Sequence, residues 1–210
     1  MTRLKVSFVL MAVVAIGLSL ATGCGGGASA PGTPDTVVFV GASITEAWDF
    51  DRFFPGRDFR KVIHFDADKT AVWNEVARQQ PGIVVVKECA AYFYADGGTP
   101  IDEYMAYVDE MAGLIRSIGA VPVIATTIPV DVGQGDCTAT QLADIQVFNE
   151  RVREYCAGQG IVCMDYDAAI ADSEGQLPAS CHDGDGLHPN DTGYTILSGI
   201  VVPVLELAGL

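Results

Sequence analysis

Val37-Val38-Phe39-Val40-Gly41-Ala42-Ser43-Ile44-Thr45-Glu46-Ala47-Trp48 decides how this chain is read. Its first four residues form an unbroken apolar run rich in β-branched side chains, the pattern of a strand covered on both faces. The run ends at Gly41, and Ser43 follows where a helix can begin. A serine there exposes its hydroxyl at the carboxyl edge of a strand, beside the unpaired amides of a helix start. Such a hydroxyl can act as a nucleophile with part of an oxyanion hole already attached. Ser43-Ile44-Thr45-Glu46 also spells a capping box, in which the serine only caps the helix. Both readings stand at this point.

Outward from that stretch, apolar strand patterns and helical patterns alternate about five times. Thr36–Val40 reads as the first strand, Lys61–Phe65 as the second, Ile83–Val86 as the third, Val121–Thr126 as the fourth and Ile161–Asp165 as the fifth. A helical segment near Thr70–Gln79 precedes the third strand. Thr99-Pro100-Ile101-Asp102 opens a longer helix, with threonine as N-cap and proline in the first turn. Its Tyr104, Val108, Met111, Ile115 and Ile118 form one apolar stripe. Thr138-Ala139-Thr140-Gln141 is a further capping box. The helix it starts is lined by Leu142, Ile145, Phe148, Val152 and Tyr155 and closed by Gly158. A last helix is expected from about Asn190 to Ala208. The alternation predicts an α/β fold of three layers, with helices on both faces of a five-stranded parallel sheet. Ligands of such sheets bind at the carboxyl ends of strands, where Ser43 falls.

The ends and the charge bound the setting. Arg3 and Lys5 precede an apolar run from Val6 to Ala21, followed by Thr22-Gly23-Cys24. That is the pattern of an export signal. A cysteine after Ala-Thr-Gly resembles a bacterial lipoprotein processing site, with Cys24 as the lipidated residue; ordinary secretion with cleavage nearby is the other reading. We therefore read residues 1–24 as a leader, 25–34 as a flexible Gly/Ala/Pro linker, and 35–210 as one domain. The expected location is outside the cytoplasm, with the membrane engaged only through an anchor at Cys24.

The formal net charge is −15 over 210 residues, which argues against nucleic acid as a partner. Besides Cys24 there are Cys89, Cys137, Cys156, Cys163 and Cys181. No pair has metal-ligand spacing, so no metal is expected. Five is an odd number, so at least one thiol stays unpaired; we favour Cys137 with Cys181 and Cys156 with Cys163, leaving Cys89 free and buried.

Asp185-Gly186-Leu187-His188-Pro189-Asn190 is the second informative stretch. An aspartate three residues before a histidine, on a tight turn before a helix, can hold the imidazole in one tautomer. The other ring nitrogen is then free to take a proton from a serine. His182, beside Cys181 and Asp183, competes for that role but has Ala179 three residues upstream, so His188 is preferred. The blocks Gly41-Ala42-Ser43-Ile44-Thr45 and Asp185–Asn190, one at each end of an α/β domain, resemble those of the SGNH, or GDSL, hydrolase family. The resemblance covers roughly Thr36 to Leu205, with Ala42 in place of the usual aspartate before the serine.

That resemblance implies a flavodoxin-like SGNH hydrolase fold and hydrolysis of small acyl or acetyl esters of carbohydrate or lipid. Ser43 is the implied nucleophile, His188 the base and then acid, and Asp185 the group that orients His188; no cofactor is implied. Two middle blocks depart from the family. Where it has an oxyanion-hole glycine, this chain has His64-Phe65-Asp66-Ala67-Asp68-Lys69-Thr70. Asp66 is the nearest match, so backbone N–H donors are expected from Ser43 and Asp66. Where the family has an oxyanion asparagine, Ala91 stands.

Lys87 and Glu88 at the end of the third strand read first as a solvated or ion-paired edge, and second as pocket residues. Trp48, Glu88, Ala91 and Tyr92 are the candidate pocket residues. Trp48 and Tyr92-Phe93-Tyr94 either stack on substrate or cover the sheet edge. The departures leave two alternatives: a surface glycan-binding module with a vestigial triad, and an acyltransferase using an acceptor alcohol.

Overall fold

The computed structural model describes residues 33–93 and 100–210. The expected leader, Cys24, most of the expected linker, Tyr94 and the expected cap Thr99 lie outside the described residues. Strand β1 spans Thr33–Gly41, β2 Phe59–Ile63, β3 Pro81–Lys87, β4 Val121–Ala125 and β5 Val162–Met164. All are parallel, in the order β2-β1-β3-β4-β5. This is the flavodoxin-like order, whose switch point lies between β1 and β3. β1 starts at Thr33, inside the segment expected to be linker, and pairs with Pro81 across a register shift.

Helix α1 covers Ser43–Ala47, α2 Phe50–Phe53, α3 Trp73–Arg78, α4 Ile101–Ser117, α5 Ala139–Gln159, α6 Tyr166–Ile170 and α7 Asp191–Leu207. Three 3-10 turns, Lys69–Val72, Ala90–Phe93 and Ala179–Cys181, complete the elements. The segment expected to be one helix over 70–79 is thus a 3-10 turn running into α3. In α4 the cap position is held by Pro100, without a side-chain hydrogen bond. α5 passes Gly158 and stops at Gly160.

The period of two along each strand builds the layers. Val38, Val40, Val84, Val86 and Ile124 face one way, onto α4 and α5 through Tyr104, Val108, Met111, Ile115, Ile145, Phe148 and Val152. Val37, Phe39, Ile83, Val85 and Val123 face the other way, onto Ile44, Trp48, Phe50, Leu197, Val201 and Leu205. The stripe predicted for α4 is buried as far as Ile115, while Ile118 sits past the helix end and is half-buried. At about 25 cal/mol per Å² of apolar surface, these two faces supply the main drive for folding.

Cys89, Cys137, Cys156, Cys163 and Cys181 are all free thiols, so neither expected disulfide is formed. For Cys137 and Cys181 the reason is topological: they belong to opposite faces of the sheet. Cys137 Sγ instead faces the carbonyl of Asp185 at 3.6 Å. Among the described residues no helix is long and apolar enough to cross a membrane.

Candidate active site

The carboxyl end of β1 turns sharply into α1, and the turn needs a residue without a side chain at position 41. A Cβ on Gly41 would stand 2.1 Å from Thr45 Oγ1 and 2.8 Å from Thr45 Cβ. Ala42 takes the N-cap position and Ser43 is the first helical residue. The capping-box reading is therefore corrected: α1 has no side-chain cap, because alanine occupies the cap position and the serine stands one residue too late. Ser43 Oγ is left free to face outward, and its amide, at the helix start, has no intrahelical acceptor. Tyr194 Oη donates to the carbonyl of Ile44 at 2.9 Å and ties α7 to α1.

His188 Nε2 lies 3.0 Å from Ser43 Oγ, and His188 Nδ1 lies 2.6 Å from Asp185 Oδ2. The other oxygen, Asp185 Oδ1, accepts the amides of Leu187 and His188, each at 2.9 Å. Burial pushes the Asp185 pKa up, but those two amides and the His188 ring outweigh it, and the net direction is down. An ionised carboxylate only accepts, so the ring proton sits on Nδ1 and Nε2 accepts from the serine hydroxyl. The two side chains are 42% and 47% exposed, which leaves the serine approachable from solvent. Three residues expected to meet, from opposite ends of the chain, do so in hydrogen-bonding order.

His182, the competing histidine, is buried and turned elsewhere. Its Nδ1 accepts the amides of Gly184 at 3.0 Å and Gly186 at 3.1 Å, and its Nε2 faces Asp131 Oδ2 at 2.9 Å. Asp131 also donates its own amide to the carbonyl of Gly186 at 2.9 Å. The loop carrying Asp185 is thus clamped on both sides of that residue. Gly186 makes the close approach possible. Its φ is +73°, and a Cβ there would stand 2.8 Å from the carbonyl oxygen of Asp131. Asn190 caps α7 through the amides of Thr192 and Gly193, fixing the far end of the same loop.

The expected pocket residues divide. Trp48 does not line the site: it is 2% exposed, packs on Phe50, Phe54, Tyr166 and Tyr194, and donates Nε1–H to Ser198 Oγ at 3.0 Å. The indole finds a hydrogen-bond partner inside the core, so burial costs it little. Of the solvated or ion-paired edge expected at Lys87 and Glu88, the solvated reading is corrected, since they are 5% and 2% exposed. Glu88 does face a cation, Lys69 Nζ at 3.8 Å. Lys87 Nζ donates to the carbonyl of Glu88 at 2.9 Å, and Thr127 Oγ1 donates to the same oxygen at 3.2 Å. Burial pushes the Glu88 carboxyl up to about 7, against the pull of Lys69 and Lys87.

Ala91 is half-buried beside Tyr92, whose hydroxyl turns inward to Lys69 Nζ at 3.2 Å. Gln141, expected to close a capping box, sends its side-chain amide to the carbonyl of Ala90 at 2.9 Å, although Thr138 does cap α5. Asp66 is exposed, on the turn that follows β2.

Lys69 and Asp131 matter to this region but were not singled out by the sequence, while His182 was weighed only as a rival to His188 and Gln141 only as part of a capping box. For Lys69 no local pattern announces burial, since it lies in a polar run between Asp68 and Thr70. Among the described residues no group of His, Cys, Asp and Glu could hold a metal ion.

Solved structures share this fold. A GDSL-like lipase from Bacteroides thetaiotaomicron is 22% identical over 86% of this chain and 93% of its own, with a TM-score of 0.73. An acetylxylan esterase from Geobacillus stearothermophilus is 17% identical over 83% of this chain and 95% of its own, with a TM-score of 0.65. No curated protein sequence matches the chain. The model of the GDSL-like lipase/acylhydrolase family matches residues 15–196, most of the sequence, and to that family the chain belongs.

Proposed function

We propose that the protein is an exported serine esterase that hydrolyses small acyl or acetyl esters of carbohydrate or lipid. The observation that carries this reading is the chain of contacts from Ser43 Oγ to His188 Nε2 and from His188 Nδ1 to Asp185. As Ser43 Oγ attacks the ester carbonyl, its proton passes to Nε2; Asp185 stabilises the imidazolium. The same proton then goes to the leaving alcohol oxygen as the carbon–oxygen bond breaks, and a water repeats the sequence on the acyl-enzyme. General acid–base help of this kind contributes about 10²–10⁴ in rate. The tetrahedral oxyanion is received by the amides of Ser43 and Asp66, because the side chain at position 91 has no donor to offer.

Export and the anchor rest on the amino-terminal sequence. Replacing Cys24 by alanine is expected to move the protein from the membrane fraction to the soluble fraction. For the chemistry, a fluorophosphonate is expected to label Ser43, and Ser43→Ala to abolish hydrolysis of p-nitrophenyl acetate. A folded protein that takes no label and turns over no acyl ester would refute the esterase reading.

A further inference from the structure

Lys69 is the least expected group near this site. It opens the 3-10 turn after β2, is 0% exposed, and its Nζ donates to three oxygens at once. Two are carbonyls of the same short turn, His64 at 2.9 Å and Asp66; the third is Tyr92 Oη at 3.2 Å. Glu88 Oε2 lies 3.8 Å away and supplies the counter-charge, and the Tyr92 ring lies 4.8 Å below the ammonium. Burial pushes the lysine pKa down, and Glu88 pushes it back up.

Taking both charges of such a pair out of water is costly, and a well-packed apolar pair would hold the fold at least as well. The contacts therefore ask for a reason beyond stability, and their targets supply one. The amide of His64 donates to the carbonyl of Gly41 at 2.8 Å, which joins this turn to the strand end that carries Ser43. With the carbonyls of His64 and Asp66 drawn inward onto one nitrogen, the turn has a single shape. The amides of Phe65 and Asp66 meet no acceptor among the described residues. Tyr92 holds the same point from the 3-10 turn that follows β3, its hydroxyl 3.5 Å from the carbonyl of His64.

We propose that Lys69 is the positioning residue of the oxyanion-binding turn, with Tyr92 and Glu88 holding its ammonium in place. This rests on the esterase reading above. In this arrangement a buried cation does by anchoring carbonyls what a glycine does elsewhere by conformational freedom. The free amides are fixed before substrate arrives, as preorganised oxyanion stabilisation requires. Lys69 touches no substrate; it acts through the backbone of residues 64–66.

The test counts active serines first. Burst titration with p-nitrophenyl acetate gives kcat per titrated serine, which a simple loss of folded protein does not change. Lys69→Met combined with Glu88→Gln removes both members of the ion pair, and Lys87, buried beside them, keeps its hydrogen bond to the backbone carbonyl of residue 88. It is expected to keep KM within about threefold while kcat per titrated serine falls about 10²-fold, the scale of one lost oxyanion donor. A kcat per titrated serine within about threefold of the unaltered protein would overturn the proposal. Should the double variant not fold, Tyr92→Phe decides instead. It removes one hydroxyl, and kcat per titrated serine is expected to fall about 3- to 10-fold at unchanged KM; an unchanged kcat overturns the proposal. Ser43→Ala separates the two levels. If it keeps full hydrolysis, the esterase reading fails and this inference with it. If it abolishes hydrolysis while the Lys69 and Tyr92 variants keep their kcat, only the inference fails.

Discussion

Asp185 binds His188 twice, through the ring nitrogen Nδ1 at 2.6 Å from Oδ2 and through the backbone amide at 2.9 Å from Oδ1. The second contact fixes the carboxylate relative to the chain, so the first fixes the ring. Asp185→Asn keeps a carbonyl oxygen for the amides but can present an NH₂ group to Nδ1. The imidazole then changes tautomer, and Nε2 carries a proton where it must accept one from Ser43. On the proposed mechanism, kcat for p-nitrophenyl acetate is expected to fall about 10³–10⁴-fold with little change in melting temperature. An Asp185→Asn protein with near-normal kcat would show that His188 needs no partner to hold its tautomer.

His182 is expected to support the same loop without joining the chemistry. Its ring satisfies the amides of Gly184 and Gly186 and faces Asp131. His182→Ala leaves the amide of Gly186 without its partner in a buried place, while the amide of Gly184 and the Asp131 carboxylate can turn to water. An unsatisfied buried group costs about 1–3 kcal/mol, and a loss of about that size is expected. Urea unfolding measures it. Activity is expected to fall by more than the folded fraction does, because Asp185 sits between the two freed amides.

Gly41 gives a packing prediction at the serine turn. Gly41→Ala drives a methyl group into Thr45, which is itself 4% exposed and cannot swing out to solvent. The cost expected for such overpacking is about 1–3 kcal/mol, with loss of activity because α1 carries Ser43. Adding Thr45→Ala removes the nearest atom, Oγ1, but leaves Thr45 Cβ, so recovery should be partial. The double-mutant cycle reads it: strict additivity of the two substitutions would mean that the contact is not what matters.

What the sequence disclosed and what it hid divide along one physical line. The β-branched runs Val37–Val40 and Ile83–Val86 and the stripe of α4 announce themselves because their period is local, and the parallel five-stranded sheet follows from their alternation. The Asp185–His188 contact is equally local, three residues on one turn. Ser43 was ambiguous because Ser-x-x-Glu at a helix start fits both readings, and only the backbone shows that Ala42 holds the cap. Trp48 and Glu88 were misplaced because their partners, Ser198 and Lys69, are distant in sequence and carry no pattern of their own. Burial of a lysine, in particular, is decided by oxygens brought from two separate segments, residues 64–66 and 88–92.

Glu88 leads to a prediction for stability against pH. Its carboxyl is raised from the ordinary 4.5 to about 7, first by burial, with Lys69 and Lys87 opposing. The folded protein therefore holds the proton more tightly than the unfolded chain does. Below about pH 4.5 both states are protonated and there is no penalty. Between pH 4.5 and 7 the unfolded chain ionises while the folded one resists, so stability falls as pH rises through that window. Above 7 the full penalty is present, on the order of 3 kcal/mol for a shift of this size. Glu88→Gln cannot ionise, and its unfolding free energy in urea is expected to lose this downward slope. Other carboxylates, such as Asp185 and Asp58, are held low and lose their stabilising contribution only as pH falls toward and below the ordinary carboxylate range. Subtracting the variant's curve from that of the unaltered protein leaves the Glu88 contribution. Parallel curves across pH 4.5–7 would mean that the ion pair with Lys69 already meets the whole cost of burying this charge.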